Sequence, residues 1–266
     1  MTAKDIRERL KSSGIENYAM ETSILLEELC GDAKEDKEYD SPRLICAVRK
    51  RCERYPLQYI IGKWWLANCE FFVDESTLVP RPDTETIIDL ARKLLPKDAL
   101  FADLCTGSGC IAISILDLRA DTYADAYELY PKTLDMAKKN AEHNKVASRF
   151  APILGDVLDP ALLGSKKYSA IISNPPYIRT DVIDGLETEA KTEPRAALDG
   201  GEDGLIFYRA IVQNFKSNLD NGGFFLFEIG YDQADDLKII ANNNGFSCEI
   251  YKDLGGCDRV ALLRKK

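Results

Sequence analysis

Ala99-Leu100-Phe101-Ala102-Asp103-Leu104-Cys105-Thr106-Gly107-Ser108-Gly109 runs from an apolar stretch through two glycines into a helix expected over 109–118. A buried strand, a tight turn and a helix are the physical reading. The glycines let the backbone turn sharply and come close to a ligand, and the helix start presents unpaired N–H groups. Gly107-Ser108-Gly109-Cys110-Ile111-Ala112 also satisfies the G-x-G-x-x-A fingerprint of dinucleotide enzymes. The stretch therefore points to a doubly wound α/β fold without separating a nicotinamide cofactor from an adenosyl one.

Working outward, strands are expected at 99–104, 123–128, 149–154, 168–173, 223–229, 246–251 and 258–264. Helices are expected at 109–118, 131–144, 203–219 and 231–243. Strands separated by helices pair in parallel. The last two are joined only by Lys252-Asp253-Leu254-Gly255-Gly256-Cys257, too short for a parallel crossover, so that pair is antiparallel. The result is a seven-stranded, mostly parallel sheet with the last strand reversed. Residues 1–68 read as helices only, one beginning at Ser41-Pro42 with Leu44, Ile45 and Val48 on one face. Residues 69–79 place β-formers on both sides of a polar turn, which predicts a hairpin linker to a catalytic region at 80–266.

Composition narrows the chemistry. The 266 residues carry a formal charge of −9, which argues against a phosphate-gripping surface. No apolar run is long enough for a membrane span, and Met1-Thr2-Ala3-Lys4-Asp5-Ile6 has no signal-peptide core, so a cytoplasmic location is the default. Eight cysteines without a C-x-x-C pair and one histidine, His143, leave no metal-site pattern. No metal is expected.

Chemistry-bearing residues fall at strand ends, where open α/β sheets bind ligands. Glu128 ends the second strand and can accept from both ribose hydroxyls; Asp125 is its rival, but lies mid-strand. Asp156 follows the third strand and can bond an adenine amino group, with Val157 beside the ring; a plain turn residue explains Asp156 as well. After the fourth strand comes Asn174-Pro175-Pro176-Tyr177. Asn174 carries an acceptor and a donor on one plane, and the two prolines stiffen the loop into extended geometry. Tyr177 adds a flat ring for stacking. On its own the tetrapeptide is equally a proline-rich turn.

With these four features at four successive strand ends, the chain resembles class I S-adenosylmethionine-dependent methyltransferases. Asn-Pro-Pro-Tyr resembles the signature of those that methylate planar nitrogens. Pro56-Leu57-Gln58-Tyr59-Ile60-Ile61-Gly62, Pro80-Arg81-Pro82-Asp83-Thr84-Glu85, Glu193-Pro194-Arg195-Ala196-Ala197-Leu198 and Phe227-Glu228-Ile229-Gly230-Tyr231-Asp232-Gln233 narrow the likeness. So do Gly200-Gly201-Glu202-Asp203-Gly204-Leu205 and Gly255-Gly256-Cys257-Asp258-Arg259-Val260. Together they resemble the PrmC/HemK family, the glutamine methyltransferases of peptide chain release factors, over essentially the whole chain.

The resemblance implies a Rossmann-like methyltransferase domain with a small helical N-terminal docking domain. It implies S-adenosyl-L-methionine as methyl donor, S-adenosyl-L-homocysteine as product, and the Gly-Gly-Gln glutamine of class 1 release factors as acceptor. Cofactor contacts are expected from Asp103, Cys105, Thr106, Gly107, Ser108, Gly109, Glu128, Asp156, Val157 and Asn174. Asn174 and the Pro175 carbonyl would each accept an N–H of the acceptor amide, while Pro176 and Tyr177 complete the clamp. Arg81 and Glu85 are expected in the same cleft, with helix capping as the alternative, and the Glu193-Pro194-Arg195 loop either admits substrate or is structural. Two positions depart from the family pattern. Cys105 replaces a glycine and is tolerated provided φ there is negative; Glu128 stands where Asp is commoner. The rival functions are a nucleic-acid amino-methyltransferase, a nicotinamide oxidoreductase, which leaves Asn-Pro-Pro-Tyr without work, and a non-catalytic binding protein on a relic fold.

Overall fold

Seven strands form the central sheet of the computed structural model, which describes residues Met1–Lys266. They are β3 (Leu100–Leu104), β4 (Tyr123–Glu128), β5 (Phe150–Leu154), β6 (Tyr168–Ser173), β7 (Leu219–Glu228), β8 (Phe246–Lys252) and β9 (Asp258–Lys265), in the order β5-β4-β3-β6-β7-β9-β8. The first five pair in parallel, whereas β9 is antiparallel to both β7 and β8. The reversed strand is last in the chain but second from the sheet edge. Successive residues alternate between two cores, as strand geometry demands. Phe101, Ala170, Ile172, Phe224 and Leu226 enter one, and Ala102, Ile171, Phe225 and Phe227 the other. The strand order reverses between β3 and β6, so a crevice opens above their carboxyl ends.

Helices α5 (Glu85–Leu94), α6 (Cys110–Leu118) and α7 (Pro131–His143) contribute to the first core; α10 (Ile206–Phe215) and α11 (Ala234–Asn243) contribute to the second. Two expected helices are shorter than the apolar pattern suggests. Helix α10 gives way to a 3-10 turn at Lys216–Asn218, because Leu219 already pairs with Tyr168 in the sheet. Tyr231-Asp232-Gln233 forms a turn before α11, where Gln233 N donates to Gly230 O at 3.1 Å.

The N-terminal helices α1 (Ala3–Ser12), α2 (Tyr18–Cys30), α3 (Pro42–Cys52) and α4 (Leu57–Ile61) enclose a core of their own. Thr2 and Asp5 make a reciprocal capping box, and Ser41 caps α3 through Leu44 N. Ile45 does not share the buried face expected of it and is 44% exposed. At 100° per residue, Leu44, Ala47, Val48 and Arg51 line one side of α3 and Ile45 turns away.

The hairpin is displaced from 69–79. Its strands are β1 (Lys63–Leu66) and β2 (Cys69–Phe72), with Ala67 at the turn in the left-handed region. The β-formers of 69–72 pair backward with the strand just before them, which needs the shorter loop. Residues 73–79 instead form an irregular strap, where Asp74 accepts from Ser76 N at 2.8 Å and Thr133 Oγ1 donates to Ser76 O at 2.7 Å. The hairpin belongs to the sheet's core, since Leu66, Cys69, Phe71 and Val73 are buried in it. Asn140 of α7 fastens it: Oδ1 accepts from Phe72 N at 2.7 Å, and Nδ2 donates to Phe72 O at 3.0 Å and Ser108 O at 2.9 Å. Arg51, paired with Glu21 at 2.6 Å, also reaches Glu189 of α9 (Thr188–Thr192), which follows the short α8 (Thr180–Ile183), at 3.0 Å, tying the helical region to the loop after β6.

Candidate active site

Asp103, the last residue but one of β3, is fully buried, and its Oδ2 accepts from Thr106 Oγ1 at 2.6 Å and Ala112 N at 3.3 Å. Its Oδ1 is buried with no partner. Burial pushes the carboxyl up to about 7, against the Thr106 hydroxyl and Ala112 N–H that pull it down. The loop above it crosses to β4 through Thr106 N, which donates to Tyr127 O at 3.0 Å. Gly107 and Gly109 have φ of +58° and +82°, which only glycine adopts freely.

Cys105 contradicts the expectation of negative φ, for its backbone sits at +59°. The loop needs that turn to bring Thr106 back over Asp103, and a side chain there carries about 1–2 kcal/mol of left-handed strain. Cys105→Gly relieves the strain but frees the unfolded chain by about 0.4–1 kcal/mol. A small rise in melting temperature is expected, and a fall would mean that thiol packing outweighs backbone strain. Burial raises both the Cys105 thiol and the Cys110 thiol, the latter to about 12, so neither is a ready nucleophile.

Glu128 lines the cavity above the glycine loop and Asp125 does not. Glu128 Oε2 accepts from Gly107 N at 3.0 Å, and Oε1 from Leu129 N at 2.9 Å and Tyr130 N at 3.1 Å. Burial raises its carboxyl, and those N–H groups oppose the rise. Two carboxylate oxygens have about four acceptor sites, so capacity remains for a ligand hydroxyl. Asp125 is spent on Lys166 Nζ at 2.7 Å and the Tyr168 hydroxyl at 2.8 Å. Asp156 and Val157 line the cavity from the end of β5, and Asp156 Oδ1 accepts from Leu158 N at 2.8 Å.

Asn174 and Pro176 face this cavity from β6, whereas Pro175, Tyr177, Asp103 and Gly109 do not line it. The Pro175 carbonyl accepts no backbone N–H. Tyr177 packs its ring against the second core, and burial pushes its phenol up to about 12. The loop is pinned from behind by Gln233, whose Nε2 donates to Tyr177 O at 3.0 Å and Gly204 O at 3.2 Å while Oε1 accepts from Gly230 N at 2.9 Å. Gly200 N donates to Ile178 O at 2.8 Å, closing the second side.

Arg81 lines the cavity and pairs with Glu193, which also accepts from Val79 N at 3.0 Å. Glu193 is therefore an anchor between the strap and the loop after β6. Glu85, expected in the cleft, instead accepts from Ala67 N at 3.1 Å, because the left-handed hairpin turn leaves that N–H without a strand partner. Sequence reasoning missed Leu129, Tyr130, Leu78 and Phe207, which all line the cavity. Leu129 and Tyr130 directly follow the strand-end acid, a signal that was available. Leu78 and Phe207 arrive from distant segments and left none.

A family model, "Methyltransferase small domain", matches residues 84–193. The release factor glutamine methyltransferase of Geobacter sulfurreducens is 36% identical, over 94% of this chain and 91% of that protein. Its namesake from Thermodesulfovibrio yellowstonii is 38% identical, over 82% and 79%. Among solved structures, the hMettl16 catalytic domain in complex with the MAT2A 3′UTR hairpin 6 superposes with a TM-score of 0.59 at 16% identity, covering 84% of this chain and 80% of that one. That likeness shows a shared fold alone, and its RNA-bound setting illustrates that fold does not choose substrate. Sequence identity across the helical region, the hairpin and the sheet domain does choose: the chain belongs to the release factor glutamine methyltransferase family.

Proposed function

We propose that this protein transfers a methyl group from S-adenosyl-L-methionine to the side-chain amide nitrogen of the Gly-Gly-Gln glutamine in class 1 peptide chain release factors. The observation that carries the reading is Asn174, which faces a cavity shared with the glycine loop, Glu128 and Asp156. The donor fits the residues present. Asp103 Oδ1 is an unused buried acceptor outside the cavity lining, within the reach of an ammonium through water; Glu128 has acceptor capacity for a ribose hydroxyl; Asp156 and Val157 suit an adenine edge and face. When bound, it supplies an electrophilic methyl on sulfur.

An amide nitrogen is a poor nucleophile, since its lone pair is delocalised into the carbonyl. Asn174 Oδ1 would accept one of its N–H groups, orient the nitrogen and stabilise positive charge growing there, and the Pro175 carbonyl, unpaired but outside the cavity lining, is the acceptor beside it for the second. Alignment of two bound reactants supplies about 7–11 kcal/mol in favourable cases. Residues 1–62 would form the docking domain, and the hairpin, the strap and residues 80–266 the catalytic one. No helix is long and apolar enough to cross a membrane, and a cytoplasmic setting suits the proposed substrate.

The test is transfer of labelled methyl to a purified class 1 release factor. Label should appear on it and vanish when its Gly-Gly-Gln glutamine is changed to alanine. Transfer to tRNA, rRNA or DNA, with none to the release factor, would overturn the reading.

A further inference from the structure

Glu228 ends β7 and is 2% exposed, yet its Oε2 is sealed from solvent without a hydrogen-bond partner. In the parallel pairing of β6 with β7, Ser173 lies opposite Phe227, and Asn174 and Glu228 directly follow these two residues. The Thr84 hydroxyl and the Asn174 amide are polar neighbours of the Glu228 carboxyl, and its sealed Oε2 accepts a hydrogen bond from neither in this structure. Thr84 and Asn174 line the cavity and Glu228 does not. A buried acid thus stands directly behind the residue on which the proposed clamp depends.

We propose that Glu228 is a positioning residue that selects the orientation of the Asn174 carboxamide, taking its amino edge and leaving Oδ1 turned to the acceptor. This inference rests on the clamp reading of Asn174. A carboxamide has one acceptor edge and one donor edge, exchanged by a half-turn of its plane. An ionised carboxylate only accepts, so it attracts the amino edge and repels Oδ1. A protonated carboxyl also donates, satisfies either edge and loses the bias.

Burial pushes the Glu228 carboxyl up to about 7; Thr84, Arg259 and Asn174 pull it down, and Asp83 pushes it further. Its charged and titratable neighbours are Arg259 on β9, Asp83 before α5, Tyr177 after β6, Tyr208 on α10 and Cys110 on α6. Burial holds Tyr177 and Cys110 at about 12 and Tyr208 well above its ordinary value. The productive orientation therefore gains population as pH rises through about 7, and kcat rises with it.

Glu228→Gln keeps the shape and removes the charge that chooses. With a release factor as acceptor, kcat should fall at least about tenfold, the scale of a misplaced reacting group, while cofactor binding measured by calorimetry stays near wild type. The rise of kcat near neutral pH, measured at saturating cofactor, should flatten in Glu228→Gln. In an Asn174→Ala background, Glu228→Gln should cost nothing more. Wild-type kcat, a surviving pH limb, or a full additional loss in that background would each overturn the proposal. Should Glu228→Gln fail to fold by thermal melting, Glu228→Asp decides: its limb must move, and an unmoved limb overturns the proposal. An active Asn174→Ala enzyme would instead remove the clamp reading itself.

Discussion

Asn174→Ala lowers turnover by about 10²–10³-fold, the loss seen when one group aimed at developing charge is removed. The variant loses the only side-chain acceptor that Asn174-Pro175-Pro176-Tyr177 offers to the cavity. The Pro175 carbonyl remains, so one N–H of the acceptor amide would still be held and the nitrogen could pivot about it. Cofactor affinity should change much less, because the glycine loop, Glu128 and Asp156 stand on β3, β4 and β5. Single-turnover methyl transfer, with binding measured separately, separates the two effects. Retention of most of the rate would show that the loop does not clamp the acceptor.

Gly204→Ala is expected to damage both stability and rate. Gly204 has φ of +74°, and a Cβ there would lie 2.4 Å from Tyr177 O and 2.9 Å from Gln233 Nε2. The first obstacle is backbone of the Asn-Pro-Pro-Tyr loop, so relief requires the loop itself to move. Left-handed strain and overpacking together cost on the order of 2–5 kcal/mol. At about 2–4 °C per kcal/mol for a chain of this size, the melting temperature falls by about 4–20 °C. Turnover of the folded fraction should fall about 10²-fold, as for a displacement near 1 Å. Gly201→Ala is the control, with φ of +88° but a nearest contact of 3.4 Å to the Ile206 side chain. It should lose stability through strain and keep most of its rate; equal rate losses would show that loop displacement is not the cause.

The sheet was legible because its strands are continuous apolar runs such as Ala170-Ile171-Ile172, all buried on both faces. Strand-end logic then led to Glu128, Asp156 and Asn174, and all three do line one cavity. What failed to show was whatever depends on distant partners. Glu193 meets Arg81 across 112 positions, Asn140 meets Phe72 across 68, and Gln233 meets Tyr177 across 56. No local period encodes such pairs. Cys105 was misjudged for another reason: residue type limits φ but does not reveal its sign. The hairpin was misplaced because β-formers at 69–73 do not announce whether their partner lies before or after them.

Where the hairpin packs decides how such a protein could be re-targeted by domain exchange. A graft joined at position 80 would carry away Leu66, Cys69, Phe71 and Val73, and leave a hole in the sheet's core. It would also separate Val79 from Glu193 and Phe72 from Asn140. The better seam is Gly62, the left-handed cap of α4, just before β1 begins. A chimera cut there keeps hairpin, strap and cavity together, and leaves Arg51 and Arg54 with Glu189, Glu28 with Lys63, Tyr55 with Glu75 and Tyr59 with Thr77 as the contacts whose match must be redesigned.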